Sequence, residues 1–203
     1  MREPHRPARE GHAPTRPGRT GHRRRAVALT GTPGVGKSAV GRALRGEWSV
    51  VEVADLARAT GTARRLDRGT EVDLPRLVVA VRSSRVLDSV DVIVGHLAHL
   101  LPVREAIVLR CHPLELRRRL DRARRGRRPE RAENVVCEAL DLVLLEASSA
   151  GRRIYEVDTT GRSVASVARE VDRWLRRRAP LRSGTVDWLA DPRVTAHLLD
   201  GAG

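Results

Sequence analysis

Phenylalanine is absent from the 203 residues, and aromatic side chains make up only 2% of them. A core must then be built from Val, Leu, Ala and Ile, which suits buried parallel strands covered by helices. Cysteine is nearly absent as well. Cys111 and Cys137 are too few for a disulfide framework, so a reducing cytoplasmic setting is expected. No apolar run approaches the ~20 residues that cross a bilayer, so no membrane partner is expected. The basic N-terminus has no apolar stretch behind it and does not read as a secretory leader.

The most informative shortage is lysine. Of 39 Lys and Arg residues, Lys37 is the one lysine. It lies in G-T-P-G-V-G-K-S at 31–38, after the short apolar run Ala26 to Thr30 and before a helical pattern from Ser38. Strand, glycine-rich turn and helix in that order form a phosphate cradle. Gly31, Gly34 and Gly36 let backbone N–H groups curl around a phosphate, and the helix presents its positive end to the same anion. A compact, flexible ammonium is the group that reaches β- and γ-phosphates, and the Ser38 hydroxyl is placed to ligate Mg²⁺. Because arginine serves everywhere else, lysine at this position speaks against a chance match.

The length suits one domain with a core plus some tail, and 40% of the residues are hydrophobic. The net charge of +14 is concentrated in two places. Residues 1–25 hold eight Arg against two Glu, and residues 117–131 hold nine Arg against Asp121 and Glu130. Each run reads either as solvated surface or as a site for phosphate-bearing partners.

Residues 1–25 are rich in Pro, Gly, Arg and His without a hydrophobic period, and are expected to be disordered. Beyond them the pattern alternates. Strands are expected at Ala26–Thr30, Ser49–Val53, Val90–Val94, Glu105–Cys111 and Arg153–Val157. Helices are expected from Ser38 to Arg45, from an Asp55 cap to about Thr60, over Leu74–Ser83, from Pro113, over Glu130–Ser148 and over Ser163–Arg178. Gly61 to Thr70 reads as a polar loop. The outcome is an α/β P-loop NTPase fold with a parallel five-stranded sheet flanked by helices. One domain is expected over 26–178. A docked or flexible tail follows at 179–203.

The absence of a second lysine excludes the N-K-x-D guanine motif of Ras-type GTPases. The length is short for recombinase-like or transporter ATPase cores. A small kinase remains, in which an arginine-rich lid, Arg117 to Arg131 with Gly126 and Pro129, closes over the phosphates. Phosphoryl transfer rests on positioning and cationic stabilisation, which arginine forks supply. His99 and His112 lack paired Cys/His spacing and read as structural.

Five ordered motifs carry a family resemblance: G-T-P-G-V-G-K-S at 31–38, G-H-L-A-H-L-L-P at 95–102, L-R-C-H-P at 109–113, E-N-V-V-C-E-A-L-D at 133–141 and Y-E-V-D-T-T-G-R at 155–162. Over about residues 26–178 the chain resembles the archaeal and eukaryotic adenylate kinase-related family, whose eukaryotic members are linked to small-ribosomal-subunit maturation. The resemblance implies an adenylate-kinase-like kinase core over 26–178, with a monophosphate-binding segment at about 54–83 and a short lid at about 122–132. It implies reversible phosphoryl transfer between ATP and AMP with Mg²⁺, weak ATPase activity, and binding to a small-subunit ribosomal protein and pre-ribosomal RNA. An alternative is an ATP-binding ribosome-assembly switch with little or no kinase turnover.

Residue by residue, the resemblance places the ATP site at Gly34, Val35, Gly36, Lys37, Ser38 and Ala39. Ala39 stands where members usually carry a second hydroxyl. It makes Lys37 and the lid residue Arg125 catalytic, with Arg124 a close competitor, and Ser38 the metal ligand. Arg58 in Asp55-Leu56-Ala57-Arg58 becomes a candidate for the AMP phosphate, and His96 matches the histidine that follows the third strand. Two departures stand out. The position two before His96, usually acidic, is Val94, with Asp91 earlier on the strand. Mg²⁺ is then held by Ser38 and water, or another carboxylate substitutes, or activity is reduced. The monophosphate loop, usually strongly acidic, reads T-A-R-R-L-D-R-G-T.

Overall fold

A computed structural model describes residues 25–66, 69–123, 127–178 and 180–200. Five strands form one parallel sheet in the order β2-β5-β1-β6-β7: β1 (Val27–Thr30), β2 (Val50–Glu52), β5 (Val92–Val94), β6 (Glu105–Arg110) and β7 (Arg153–Asp158). This is the expected five-stranded P-loop arrangement. The helices are α1 (Lys37–Leu44), α2 (Val53–Ala59), α3 (Leu74–Ser84), α4 (Pro113–Arg122), α5 (Arg128–Ala139), α6 (Leu142–Ser149), α7 (Val164–Arg177) and α8 (Pro192–Asp200). The N-terminal segment expected at 1–25 lies, apart from Arg25, outside the described residues.

Alternation along the strands divides the core into two layers, because successive side chains point to opposite faces. Val27, Leu29, Ile107 and Leu109 pack with α1, α4 and α7 on one face. Ala28, Ile93, Ala106 and Val108 pack with α2, α3 and α6 on the other. Aliphatic strands buried on both faces are what a chain without phenylalanine can build. The outer edge of β7 is covered by the C-terminal segment: Glu156 N donates to Arg182 O, and Arg182 N donates to Ile154 O. Trp188 is buried farther along, so the described part of 179–203 docks on the core.

Three expectations need correction. Gly61–Thr70 is not a loop throughout. Ala63–Leu66 (β3) and Gly69–Val72 (β4) form an antiparallel hairpin with Arg64 opposite Glu71. An opposite-charge cross-strand pair stabilises such a ribbon, and partly buried Ala63 and Val72 pack it on the core. The helix expected over Glu130–Ser148 is two helices, broken at Asp141, which adopts φ 56°. The guanidinium of Arg110 donates to the Asp141 carboxylate there, holding a left-handed turn that the local sequence does not announce. The α2 helix begins at Val53, with Glu52 in the cap position, so Asp55 lies in the first turn rather than at the cap.

Arg110 is almost fully buried and also bonds Glu138 at 2.9 Å and Glu156 at 2.5 Å. Burial pushes the Glu138 carboxyl up from its ordinary range, while Arg110 and the Thr32 hydroxyl pull against that. Removing the guanidinium strands these carboxylates, so Arg110→Met is expected to lower unfolding stability by about 3–5 kcal/mol in urea titrations. A second expectation concerns acid. His99 is buried, with Nδ1 2.9 Å from Thr30 Oγ1 and Nε2 3.1 Å from Glu146 Oε2. Burial holds its pKa below 6.5, so the unfolded chain takes up a proton that the folded chain resists. Stability present above pH 6.5 is lost as pH falls below it. Urea unfolding at pH 7.5 and 5.5 should show a smaller acid loss for His99→Gln than for the parent; equal losses would contradict this.

Candidate active site

The loop between β1 and α1 turns on glycine. Gly31 has φ +137°, and a Cβ there would stand 2.3 Å from the Leu109 carbonyl oxygen, so the loop can lie against β6 only without a side chain. Gly36 has φ +111° and leads directly into α1, whose first turn carries no acidic residue. The N–H groups at the start of α1 and the helix dipole therefore face the cleft with no acidic side chain in the first turn of α1 itself. Thr32 Oγ1 donates to Glu138 Oε2 at 2.5 Å, anchoring the loop to α5 and to the Arg110 cluster. Lys37 Nζ donates to Thr32 O at 2.8 Å, folded back along its own loop.

A cleft of about 800 Å³ opens above this loop. It lies outside the carboxyl ends of β1, β2 and β5, where ligands of parallel α/β sheets bind. Its floor is Gly34, Gly36, Lys37, Ser38 and Ala39, and one wall is Glu52, Val53, Ala54 and Val72. Val94, Gly95, His96 and Leu97 continue it from β5, while Arg119, Glu130, Glu133 and Asn134 line the far side. Burial, then the nearby charge of Lys37, holds His96 below its ordinary pKa, favouring a neutral ring.

The structure brings Gly34, Gly36, Lys37, Ser38, Ala39 and His96 together around this cleft. Val35 is buried beneath the loop, its carbonyl 3.2 Å from the Thr159 hydroxyl. Arg58 is not among the lining residues; its exposed guanidinium pairs with Asp55 on α2. Arg125 and Arg124 lie outside the described residues. The base of the expected lid is nevertheless visible, because Asp121 pairs with Arg117 on α4 and with Arg131 on α5, both at 2.9 Å. His112 caps α4, accepting from Leu114 N, and its Nε2 lies 3.1 Å from Asp191 Oδ2. Among the described residues, no group of three or more His, Cys, Asp and Glu side chains is placed to hold a metal ion.

Two lining groups escaped sequence reasoning. Arg119 is anchored by Thr159, donating to its carbonyl at 2.9 Å and to its hydroxyl at 3.2 Å, with Glu115 on its other side. Its position in an arginine run concealed it, since Thr159 lies 40 residues away in sequence. Glu52 closes β2 and accepts from Ser38 Oγ at 3.4 Å. The signal for it was available: an acid at the carboxyl end of a parallel strand beside a P-loop.

A family model described as AAA domain matches residues 27–141. A protein of Thermococcus onnurineus named "Putative adenylate kinase" is 36% identical over 178 residues, covering 86% of this chain and 98% of that protein. One of the same name from Archaeoglobus fulgidus is 37% identical over 171 residues, covering 81% and 92%. A crystal structure of an uncharacterized protein from Eubacterium ventriosum has a TM-score of 0.50 at 12% identity, over 76% of this chain and 99% of that one, a likeness of fold. Relatives that match the chain over most of both lengths decide the family: the chain belongs to the adenylate kinase-related P-loop family.

Proposed function

We propose that the protein is a nucleoside monophosphate kinase of adenylate kinase type, moving the terminal phosphate of ATP to AMP and back with Mg²⁺. The observation that carries this reading is Lys37 and Ser38 at the floor of a cleft whose volume is near the upper end of ~300–1,000 Å³ for small-molecule sites. The curated relatives bear an adenylate kinase name, which supports ATP and AMP as the pair.

In this reading Lys37 swings from Thr32 O to the β- and γ-phosphates, and the α1 N-terminus holds the β-phosphate. Arg119, already fixed by Thr159, places a cation on the opposite side of the transferred group. Arg125 of the lid adds a second when the lid closes. Migration of the phosphoryl group needs no strong base; converging cations and exclusion of water lower its barrier. His96, held neutral, offers the acceptor a hydrogen bond without adding charge. Arg58 is assigned to the acceptor phosphate, which requires it to leave Asp55 when the monophosphate arrives. The Ser38 hydroxyl would be one of the groups that hold Mg²⁺, which would supply charge neutralisation at the phosphates.

The family resemblance extends the proposal to weak ATPase activity in the cytoplasm and a part in small-ribosomal-subunit maturation, with a small-subunit ribosomal protein and pre-ribosomal RNA as partners. The arginine run at 117–131 supports contact with phosphate-bearing partners. Among the described residues no helix is long and apolar enough to cross a membrane.

The test is a coupled assay of ADP formation from ATP, AMP and Mg²⁺, with other nucleoside monophosphates in parallel. The wild type should form ADP, and Lys37→Ala should lower kcat about 100-fold or more. No ADP formation by the wild type with any monophosphate would overturn the kinase reading.

A further inference from the structure

Val94 leaves the nucleotide site without an acid at the end of β5, yet the cleft does not lack a carboxylate at that level. In the parallel pairing of β2 and β5, Glu52 stands directly beside Val94. Its Oε2 accepts from the Ser38 hydroxyl at 3.4 Å, and both side chains line the cleft. We infer that Glu52 supplies the carboxylate that holds the nucleotide-bound Mg²⁺ in this chain, the acidic role having moved one strand across the sheet. The inference rests on the nucleotide-binding reading above.

Glu52 suits this role. Its placement beside an anion-binding loop is unfavourable for phosphate unless a cation comes between them, since like charges a few ångströms apart repel. Mg²⁺ takes hard oxygen donors, using one or two carboxylates together with phosphates and water. Two ligands at right angles on an octahedral Mg²⁺, each at about 2.1 Å, lie about 3 Å apart, close to the Ser38–Glu52 separation. Glu52 also has no capping duty: although it stands at the head of α2, its side chain accepts no bond from that helix.

Among the described residues Glu52 is the carboxylate that accepts from the Ser38 hydroxyl, and Glu133 lines the cleft from the α5 side. Asp91 lies before β5, at its amino end, and accepts from Ser49 N at 2.9 Å. Glu130 accepts from Arg127 N at 3.0 Å on the α5 side of the cleft. Asp55 pairs with Arg58 on the exposed face of α2. Glu52 is therefore the carboxylate that the fold sets against the P-loop serine.

Mn²⁺ as a spectroscopic substitute for Mg²⁺ tests this without relying on turnover. Free Mn²⁺ is followed by electron paramagnetic resonance as it is titrated into the full chain with saturating ADP, and metal-free ADP affinity is measured by calorimetry. Glu52→Gln should weaken Mn²⁺ binding in the ADP complex about tenfold or more, with metal-free ADP affinity unchanged or higher. Mn²⁺ held by Glu52→Gln as tightly as by the wild type would overturn the assignment. So would a parallel loss of metal-free ADP binding, since the side chain would then serve the nucleotide or the fold rather than the metal. Absence of ADP binding by the wild type, with or without metal, is a separate result that would overturn the nucleotide reading and the assignment with it.

Discussion

Arg110 ends β6 in the interior, where its guanidinium meets Glu138 from α5, Asp141 from the α5–α6 turn and Glu156 from β7. Each glutamate then reaches one element farther. Glu138 takes the Thr32 hydroxyl of the P-loop, and Glu156 takes the backbone N–H and hydroxyl of Thr185 at 2.7 and 2.9 Å. Desolvation offsets much of the Coulomb attraction in such a cluster, so its importance is geometric: no member can leave without stranding a buried charge. One cation thereby sets the P-loop, the broken helix and the C-terminal segment relative to the sheet. The loop that must aim its N–H groups at a phosphate is held from below as well as by its glycines.

The cleft above it has an electrostatic division of labour. Lys37 and Arg119 approach from the loop and α4, while Glu52 stands at the end of β2 beside Ser38. Arg119 is fixed before any ligand arrives, because Thr159 holds it and also lies 2.7 Å from the Arg110 carbonyl. Preorganised cations of this kind cost little reorganisation when charge develops on a transferred phosphoryl group. With a metal at Glu52, the charge missing at Val94 is relocated rather than lost, which removes one reason for favouring a switch with little turnover.

What could be read from the sequence follows a physical rule. The P-loop, all five sheet strands and the layered fold rest on local signals: a glycine spacing, aliphatic runs and their alternation with helical periods. What escaped depends on partners distant in the chain. Asp141 breaks a helix because Arg110, 31 residues earlier, bonds it there. The β3–β4 hairpin hides in polar residues whose pairing, such as Arg64 with Glu71, becomes visible only once the strands are side by side. Arg58 looked available for phosphate from its motif, but in the structure Asp55 three residues before it takes its guanidinium. The sequence places no acid at the carboxyl end of β5, whereas the parallel register puts Glu52 of the neighbouring strand at the same height. Local chemistry was legible, and chemistry assembled across strands was not.

In the proposed kinase, one cleft receives a nucleoside triphosphate and a monophosphate together. Calorimetric titration with P¹,P⁵-di(adenosine-5′) pentaphosphate, which joins two adenosines through the phosphates of both, tests it most directly. One molecule should bind per chain, with affinity well above that of ATP alone because the second adenosine adds its own binding within the same cleft. Affinity no greater than that of ATP would contradict it, leaving a phosphate cradle without an acceptor site.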